Sequence, residues 1–469
     1  MLRFFKLNDP YRLLVVLLLL IGLAIPVFLT RWDVTQIELK SLVLGEALQS
    51  GKMMYVHIID ATPWLAAWFD KWISFFFGRS LPARHIITLL TLFFQASFFA
   101  IVLIRNRVYA EATYVPALVF ALLTFFSFDM LSFSHQLIAS TFLLFALNNL
   151  FKEIELKTQR EETIFNLGLY LGMASLMVLS YAVFLPGTLL LLAVYARLAV
   201  RRAMLLLSGF IFPHVALFIY YFFSGGISRL TQYFYFQNFF GAQAGIISLK
   251  STVVLGSIIL FFILASLVMV NREARFTRYQ SQLLQVMLIW LSIALLEVSL
   301  TKNFSPNCLI TFIPPSTYLI SHYLQLIRRK WIAETMLWVL LFSVVGISRM
   351  AQANKIPAVD YSRMYVADSP YNTIQNKKVM MLGNDLGVYK NNQAATYFLD
   401  WDLSEEFFEQ PDIFQHVVAI YDSFEKEKPA IVIDPQDWMK NVFRFNPLLK
   451  NLYQKDGNIY RRTQSEKTN

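Results

Sequence analysis

The chain is predicted to be an all-α polytopic membrane protein with about eleven transmembrane helices, followed by a small C-terminal α/β domain. Three observations predict this. Of its 469 residues 57% are apolar, 16% aromatic and only 15% charged. The apolar residues gather in runs of roughly 20, long enough to cross about 30 Å of hydrocarbon at 1.5 Å per residue. The character of the chain then changes near Ala351, where short apolar runs closed by turn residues replace the long ones.

The expected spans cover about 11–30, 85–104, 112–128, 134–151, 163–180, 183–199, 203–223, 251–270, 281–300, 305–325 and 331–349. The first is read as a retained anchor, because Arg31-Trp32-Asp33 follows it in place of a small-residue cleavage site. Placing the N-terminus in the cytoplasm puts Arg3, Lys6 and Arg12, then Arg105 and Arg107, Lys152 and Lys157, Arg201 and Arg202, Arg272 and Arg275, and Arg328 and Arg329 on one side. Positive residues collect in cytoplasmic loops, so this orientation is the expected one and the segment after Met350 lies outside. A multi-pass membrane protein is implied.

The net charge of +10 is not a nucleic-acid signal. Residues 1–350 carry 27 Lys/Arg against 15 Asp/Glu, whereas 351–469 carry 14 against 16. The excess belongs to the loops between spans. The single cysteine, Cys308, allows no intrachain disulfide.

The first outer loop, 31–84, carries the densest polar group beside the spans. Apolar residues at 37, 39, 42, 43, 44, 47 and 48 predict a surface helix ended by Gly51. Thr62-Pro63 then opens a second amphipathic helix, Trp64 to Phe77, whose Trp and Phe residues suit a membrane interface. In the tail, 379–383 and 430–434 read as buried strands, and 405–425 as one or two amphipathic helices. Two domains are expected, 1–350 in the membrane and 351–469 outside it.

The order of an acidic residue, a surface helix, Gly51, Tyr55, Asp60, Pro63, an aromatic helix, Phe77-Gly78-Arg79-Ser80 and Arg84 resembles the first outer loop of GT-C type membrane glycosyltransferases. That class includes the dolichyl-phosphate-mannose protein mannosyltransferases and the bacterial aminoarabinose transferase of lipid A. Lys302-Asn303-Phe304-Ser305-Pro306 and Ile313-Pro314-Pro315 are similar to the basic residue and proline-containing span late in such enzymes. Where the family has an Asp-Glu pair this chain has Ile37 and Glu38, so one acid is kept, and Ser41 replaces an expected aromatic.

The resemblance implies a sugar transferred from a polyprenyl-phosphate carrier to an envelope acceptor on the outer face. Such transfer needs a carboxylate to take the acceptor's proton and basic groups to hold the lipid phosphate. It makes Glu38 the first candidate base, with Asp33 and Asp129 as further acids. Lys302 and Arg84 are the expected phosphate ligands, and Asp60, His57 and Tyr55 the remaining substrate-binding candidates. The plainer reading makes Glu38 and Asp33 solvated residues of a surface helix and Asp129 a turn residue.

His57, Asp60 and His85 match no metal-ligand spacing, so no cofactor is expected, with a divalent metal as the alternative. Glu297 lies inside a span near its outer end, with Lys302 close enough to be its partner or a phosphate ligand. His214 reads as a hydrogen-bonded core residue, and the aromatic run 230–240 as an interfacial anchor. The expected partners are membrane lipid, the lipid-linked donor and an envelope protein reached through 351–469, with no nucleic acid.

Two other functions compete: a non-catalytic GT-C-like scaffold for envelope machinery, and a transporter of lipid-linked sugar. Against the transporter, no internal repeat and no paired Gly/Pro-broken helices are visible.

Overall fold

The computed structural model describes residues 1–29, 33–155, 160–196, 199–241, 245–302 and 304–463. Its internal contacts divide the chain into two compact units, one of Met1–Trp32, Ser80–Tyr220 and Gly241–Arg363, the other of Asp33–Arg79, Tyr221–Phe240 and Met364–Asn469.

The first unit is helical. Among the described residues, seven helices are long and apolar enough to cross a membrane: Arg12–Leu29, Leu81–Arg105, His135–Ile154, Val200–Phe223, Leu249–Glu273, Arg278–Leu300 and Lys330–Gln352. Large apolar side chains such as Leu18, Phe212, Phe261, Leu295 and Phe342 are more than half exposed on them. In water that surface would be unfavourable, whereas in a bilayer it faces acyl chains. The chain is a multi-pass membrane protein.

The other four expected spans are shorter or broken. Val115–Leu123 has only nine helical residues, all buried, and passes into a 3-10 turn at Phe128–Leu131. Leu179–Val183 and Pro306–Phe312 are 3-10 segments that lead into Phe184–Tyr195 and Ile313–Leu326. Glu161–Met177 is continuous over 17 residues. Proline explains part of the breakage, since Pro306, Pro314 and Pro315 remove backbone donors where an unbroken α-helix was expected. Among the described residues, seven of the eleven expected spans are thus continuous helices of membrane-crossing length.

Glu161–Met177 and Val200–Phe223 approach closely through glycine. A Cβ at Gly168 would lie 2.0 Å from the carbonyl oxygen of Leu206, and one at Gly209 would lie 2.2 Å from that of Phe165. Small residues at such crossings let backbones touch where lipid supplies no hydrophobic drive between helices.

The second unit combines two helices of the first loop with a sheet. Gln36–Gln49 begins with a capping box from Thr35, and Trp64–Phe77 follows Pro63, both close to the boundaries that periodicity gives. Gly45 lets them pack, because a Cβ there would lie 2.6 Å from the carbonyl oxygen of Asp70. Strands β1 (Lys378–Met381), β2 (Gln393–Ala394), β3 (Ile431–Ile433), β4 (Tyr453–Asp456) and β5 (Ile459–Arg462) form one sheet in the order β2-β1-β3-β5-β4. Strands β1 and β3 are parallel, with Met380 opposite Val432, and β5 pairs antiparallel with both β3 and β4.

Parallel neighbours need a crossover. The helices Trp401–Glu409 and Phe414–Glu427 lie in that connection, and their apolar stripe buries Phe408, Ile420 and Phe424. The expected helical region 405–425 is thus two helices separated by Gln410–Ile413.

The first loop is stitched to the tail by backbone bonds. Gln36 N–H donates to Met364 O at 2.9 Å, Val366 N–H to Val34 O at 3.0 Å, and Ile59 N–H to Tyr397 O at 2.8 Å. Arg79 adds side-chain bonds to the carbonyls of Tyr389, Lys390 and Asn392 at 3.0–3.1 Å and an ion pair with Glu46.

Candidate functional site

In the first unit the candidate residues gather on two turns. Asp129 lies in the 3-10 turn Phe128–Leu131 and is 1% exposed. Its Oδ1 accepts from Ser127 Oγ at 2.5 Å and its Oδ2 from the backbone N–H of Asn307 at 3.0 Å. Tyr361 closes the arrangement, its hydroxyl 3.2 Å from Ser127 Oγ and its ring edge-on to Phe128 at 4.8 Å.

Asn307 belongs to the 3-10 segment Pro306–Phe312, and the far end of that segment meets a second carboxylate. Thr311 Oγ1 donates to Glu297 Oε2 at 3.3 Å, while Ser180 Oγ and Thr301 Oγ1 donate to Oε1 at 2.7 and 2.6 Å. The expected Glu297–Lys302 pairing is therefore not formed. Three hydroxyls from neighbouring turns satisfy the carboxylate in its place, which answers the cost of a buried charge by hydrogen bonding.

Lys302 follows Thr301 directly. Its Nζ is buried and has no hydrogen-bond partner among the described residues, and burial lowers its pKa from the usual lysine value. A buried ammonium held in a turn, with no partner among the described residues, is suited to an anionic ligand. Arg84, at the start of Leu81–Arg105, is fully buried with its guanidinium 5.8 Å from the Phe133 ring. His85 stacks on Phe28 at 4.9 Å, and His214 exchanges a 2.8 Å bond with Ser175.

In the second unit Glu38 is 1% exposed and sits at the third position of its helix. Its Oε2 accepts from Thr35 N–H at 3.1 Å and Thr35 Oγ1 at 2.9 Å, and Thr35 Oγ1 accepts from Glu38 N–H at 3.2 Å. One carboxylate oxygen thus closes a capping box. Asp33 is exposed, three residues ahead of that helix.

Asp60 is fully buried, its Oδ2 2.8 Å from Lys40 Nζ and its Oδ1 accepting from Thr62 N–H at 2.6 Å. Lys40 also contacts Asp400 Oδ2 at 3.0 Å. Burial opposes the lysine charge, but the two carboxylates outweigh it and raise the Lys40 pKa, while burial raises that of Asp400. Neither Lys40 nor Asp400 stands out in the sequence, because 360 positions separate them and no local pattern joins them.

Tyr55 is fully buried with φ 61°, a conformation costly for a bulky residue, and its hydroxyl donates to Thr62 O at 2.8 Å. Its ring lies 5.7 Å from Tyr221 and 6.3 Å from Phe234, so part of the aromatic run is core, while Phe236, Phe239 and Phe240 are exposed. His57 Nδ1 accepts from Met53 N–H at 3.1 Å, and burial with the cations Lys426, Arg229 and Lys52 lowers its pKa. Among the described residues no group of three His, Cys, Asp or Glu is placed to hold a metal ion.

No family model and no curated protein matches the sequence. Solved structures do match the fold. ArnT from Cupriavidus metallidurans in the apo state aligns with a TM-score of 0.53 at 13% identity, over 94% of this chain and 96% of that chain. ArnT bound to undecaprenyl phosphate aligns with a TM-score of 0.50 at 14% identity, over 72% of this chain and 63% of that chain. In that alignment the chain spans less than two thirds of the ArnT length. Archaeal oligosaccharyltransferase AglB from Archaeoglobus fulgidus aligns at 9% identity with a TM-score of 0.48, over 97% of this chain and 75% of that one. The fold is similar to that of the solved ArnT structures.

Proposed function

We propose that this chain transfers a sugar from a polyprenyl-phosphate carrier to an envelope acceptor on the outer face of a bacterial inner membrane. The observation that carries the proposal is the stretch 301–312, where Lys302 holds an ammonium with no partner among the described residues and Asn307 fixes the Asp129 carboxylate. The GT-C fold supports it, and one of the ArnT structures was solved with undecaprenyl phosphate bound.

In this reading eleven apolar segments cross the membrane, the four short or broken ones lying among the longer helices, with the N-terminus in the cytoplasm. The positive charges of the even-numbered connections support that arrangement. Glu38 takes the proton of an acceptor hydroxyl. The oxygen attacks the anomeric carbon as its bond to the phosphate oxygen breaks, and the polyprenyl phosphate leaves with the electron pair. Lys302 and Arg84 neutralise that phosphate, and Asp129 holds in place the turn that follows Lys302. Asp33, His57, Tyr55 and Asp60 shape the loop that carries Glu38, with Asp60 acting through Lys40.

A scaffold role is the second reading, and one observation favours it: Glu38 already serves its own helix as a cap. Profiling envelope glycans in cells carrying Glu38→Gln separates the two. Loss of a glycan product with normal protein level supports transfer. An unchanged profile removes Glu38 as the base.

A further inference from the structure

The C-terminal segment 351–469 is close to electroneutral, with 14 Lys/Arg against 16 Asp/Glu, yet its cations are not evenly spread. A cleft of about 780 Å³ beside the β4–β5 hairpin has Lys440, Arg444, Lys450 and Lys455 in its walls, with Asp437 and Tyr460. A second cleft, of about 550 Å³, takes Lys377, Lys428, Arg461 and Arg462. Eight of the fourteen cations thus line two hollows against this end of the sheet.

In the first cleft the single carboxylate is spoken for. Asp437 accepts from Lys455 Nζ at 2.6 Å and from the Tyr460 hydroxyl at 2.9 Å. Lys440, Arg444 and Lys450 have no ion-pair partner among the described residues. Lys440 and Arg444 are four apart on the helix Trp438–Phe445, so both project from one face of it. The N-terminus of that helix is already closed, because Asp434 accepts from the N–H groups of Trp438 and Met439 at 2.9 and 2.8 Å. Binding strength in the cleft is therefore a matter of side chains.

We infer that this cleft binds a saccharide bearing phosphate groups. Its volume is that of a small-ligand site. Three uncompensated cations within a near-neutral domain favour discrete anionic groups over a nucleic acid or a lipid surface, which need a field across a whole face. The amide of Gln454 in the wall supplies both a donor and an acceptor for hydroxyls, and Asp437, already bonded to Lys455 and Tyr460, leaves the other three cations to the phosphate. The inference stands on the cleft and not on the transfer reaction.

Calorimetry on the full chain in detergent tests it with four probes: pentamannosyl 6-phosphate, unphosphorylated mannopentaose, inorganic phosphate and vesicles containing phosphatidylglycerol. The phosphorylated saccharide is expected to bind at least about tenfold more tightly than either the neutral saccharide or inorganic phosphate. The triple variant Lys440→Ala/Arg444→Ala/Lys450→Ala, at exposed positions that leave folding intact, should weaken that binding by about tenfold or more, and added salt should weaken the wild type more than the variant. Equal binding by the triple variant overturns the proposal. So does inorganic phosphate binding as tightly as the saccharide, a preference for vesicles, or no detectable binding of the phosphorylated saccharide.

Discussion

The backbone amide of Asn307 donates to the carboxylate of Asp129 across 3.0 Å, joining two turns 178 positions apart. The segment that carries Asn307 is fixed at its other end by Thr311 on Glu297, so two buried carboxylates hold one short 3-10 helix between them.

Removing either anchor should be costly in stability. Asp129→Ala leaves the Asn307 N–H buried without its acceptor, a loss of about 1–3 kcal/mol, whereas Asp129→Asn keeps one acceptor oxygen and should cost less. Thermal unfolding of the purified variants reads the difference. Equal midpoints for wild type and Asp129→Ala would show that the bond contributes nothing.

Lys302 should behave in the opposite way. Because its ammonium has no partner among the described residues, Lys302→Met is expected to leave the unfolding midpoint unchanged or raise it. A drop comparable to that of Asp129→Ala would mean that the lysine is structural.

The two roles of Glu38 can be separated by chemistry. A capping box accepts Gln in place of Glu, so Glu38→Gln should retain the helix, whereas Thr35→Ala removes the box and should cost ~1 kcal/mol. Circular dichroism and unfolding of both variants, set beside their glycan profiles, show whether the carboxylate acts as a base or only as a cap.

Lys40 lies between Asp60 and Asp400, and Lys40→Met strands the buried Asp60 carboxylate beside the half-buried Asp400, with an expected loss of about 3 kcal/mol. The Asp400 pKa is raised by burial, so its contribution to stability is fully present below the ordinary carboxylate range and lost as pH rises through the raised value. The Asp400→Asn variant should therefore flatten the decline in stability of the wild type between acid and neutral pH. A decline of the same slope in both proteins would place its origin elsewhere.

What the sequence revealed follows from the range of the forces involved. Trp64–Phe77 is legible because Pro63 and an aromatic stripe at helical spacing are local, and the β1 and β3 strands because short apolar runs end at turn residues. The broken spans are less so, since hydropathy reports apolar content and not whether a segment winds as one α-helix; Pro306–Phe312 is apolar enough to be counted but turns as a 3-10 segment. Within the candidate site Asp129 is visible as an acid in a turn and Glu297 as an acid inside a span. Their partners were not, because Asn307 contributes a backbone N–H and Thr301, Thr311 and Ser180 contribute hydroxyls common to any turn. Nor does local sequence announce that 33–79 and the tail share one unit, which rests on backbone pairings such as Thr35 with Tyr365.

The central claim is that the turn carrying Lys302 receives a polyprenyl phosphate, and native mass spectrometry of the full chain titrated with undecaprenyl phosphate and with undecaprenol tests it most directly. The account predicts binding of the phosphate at least about tenfold tighter than of the alcohol, and that preference lost in Lys302→Met. Equal affinity for the two lipids, or an unchanged preference in Lys302→Met, would contradict it.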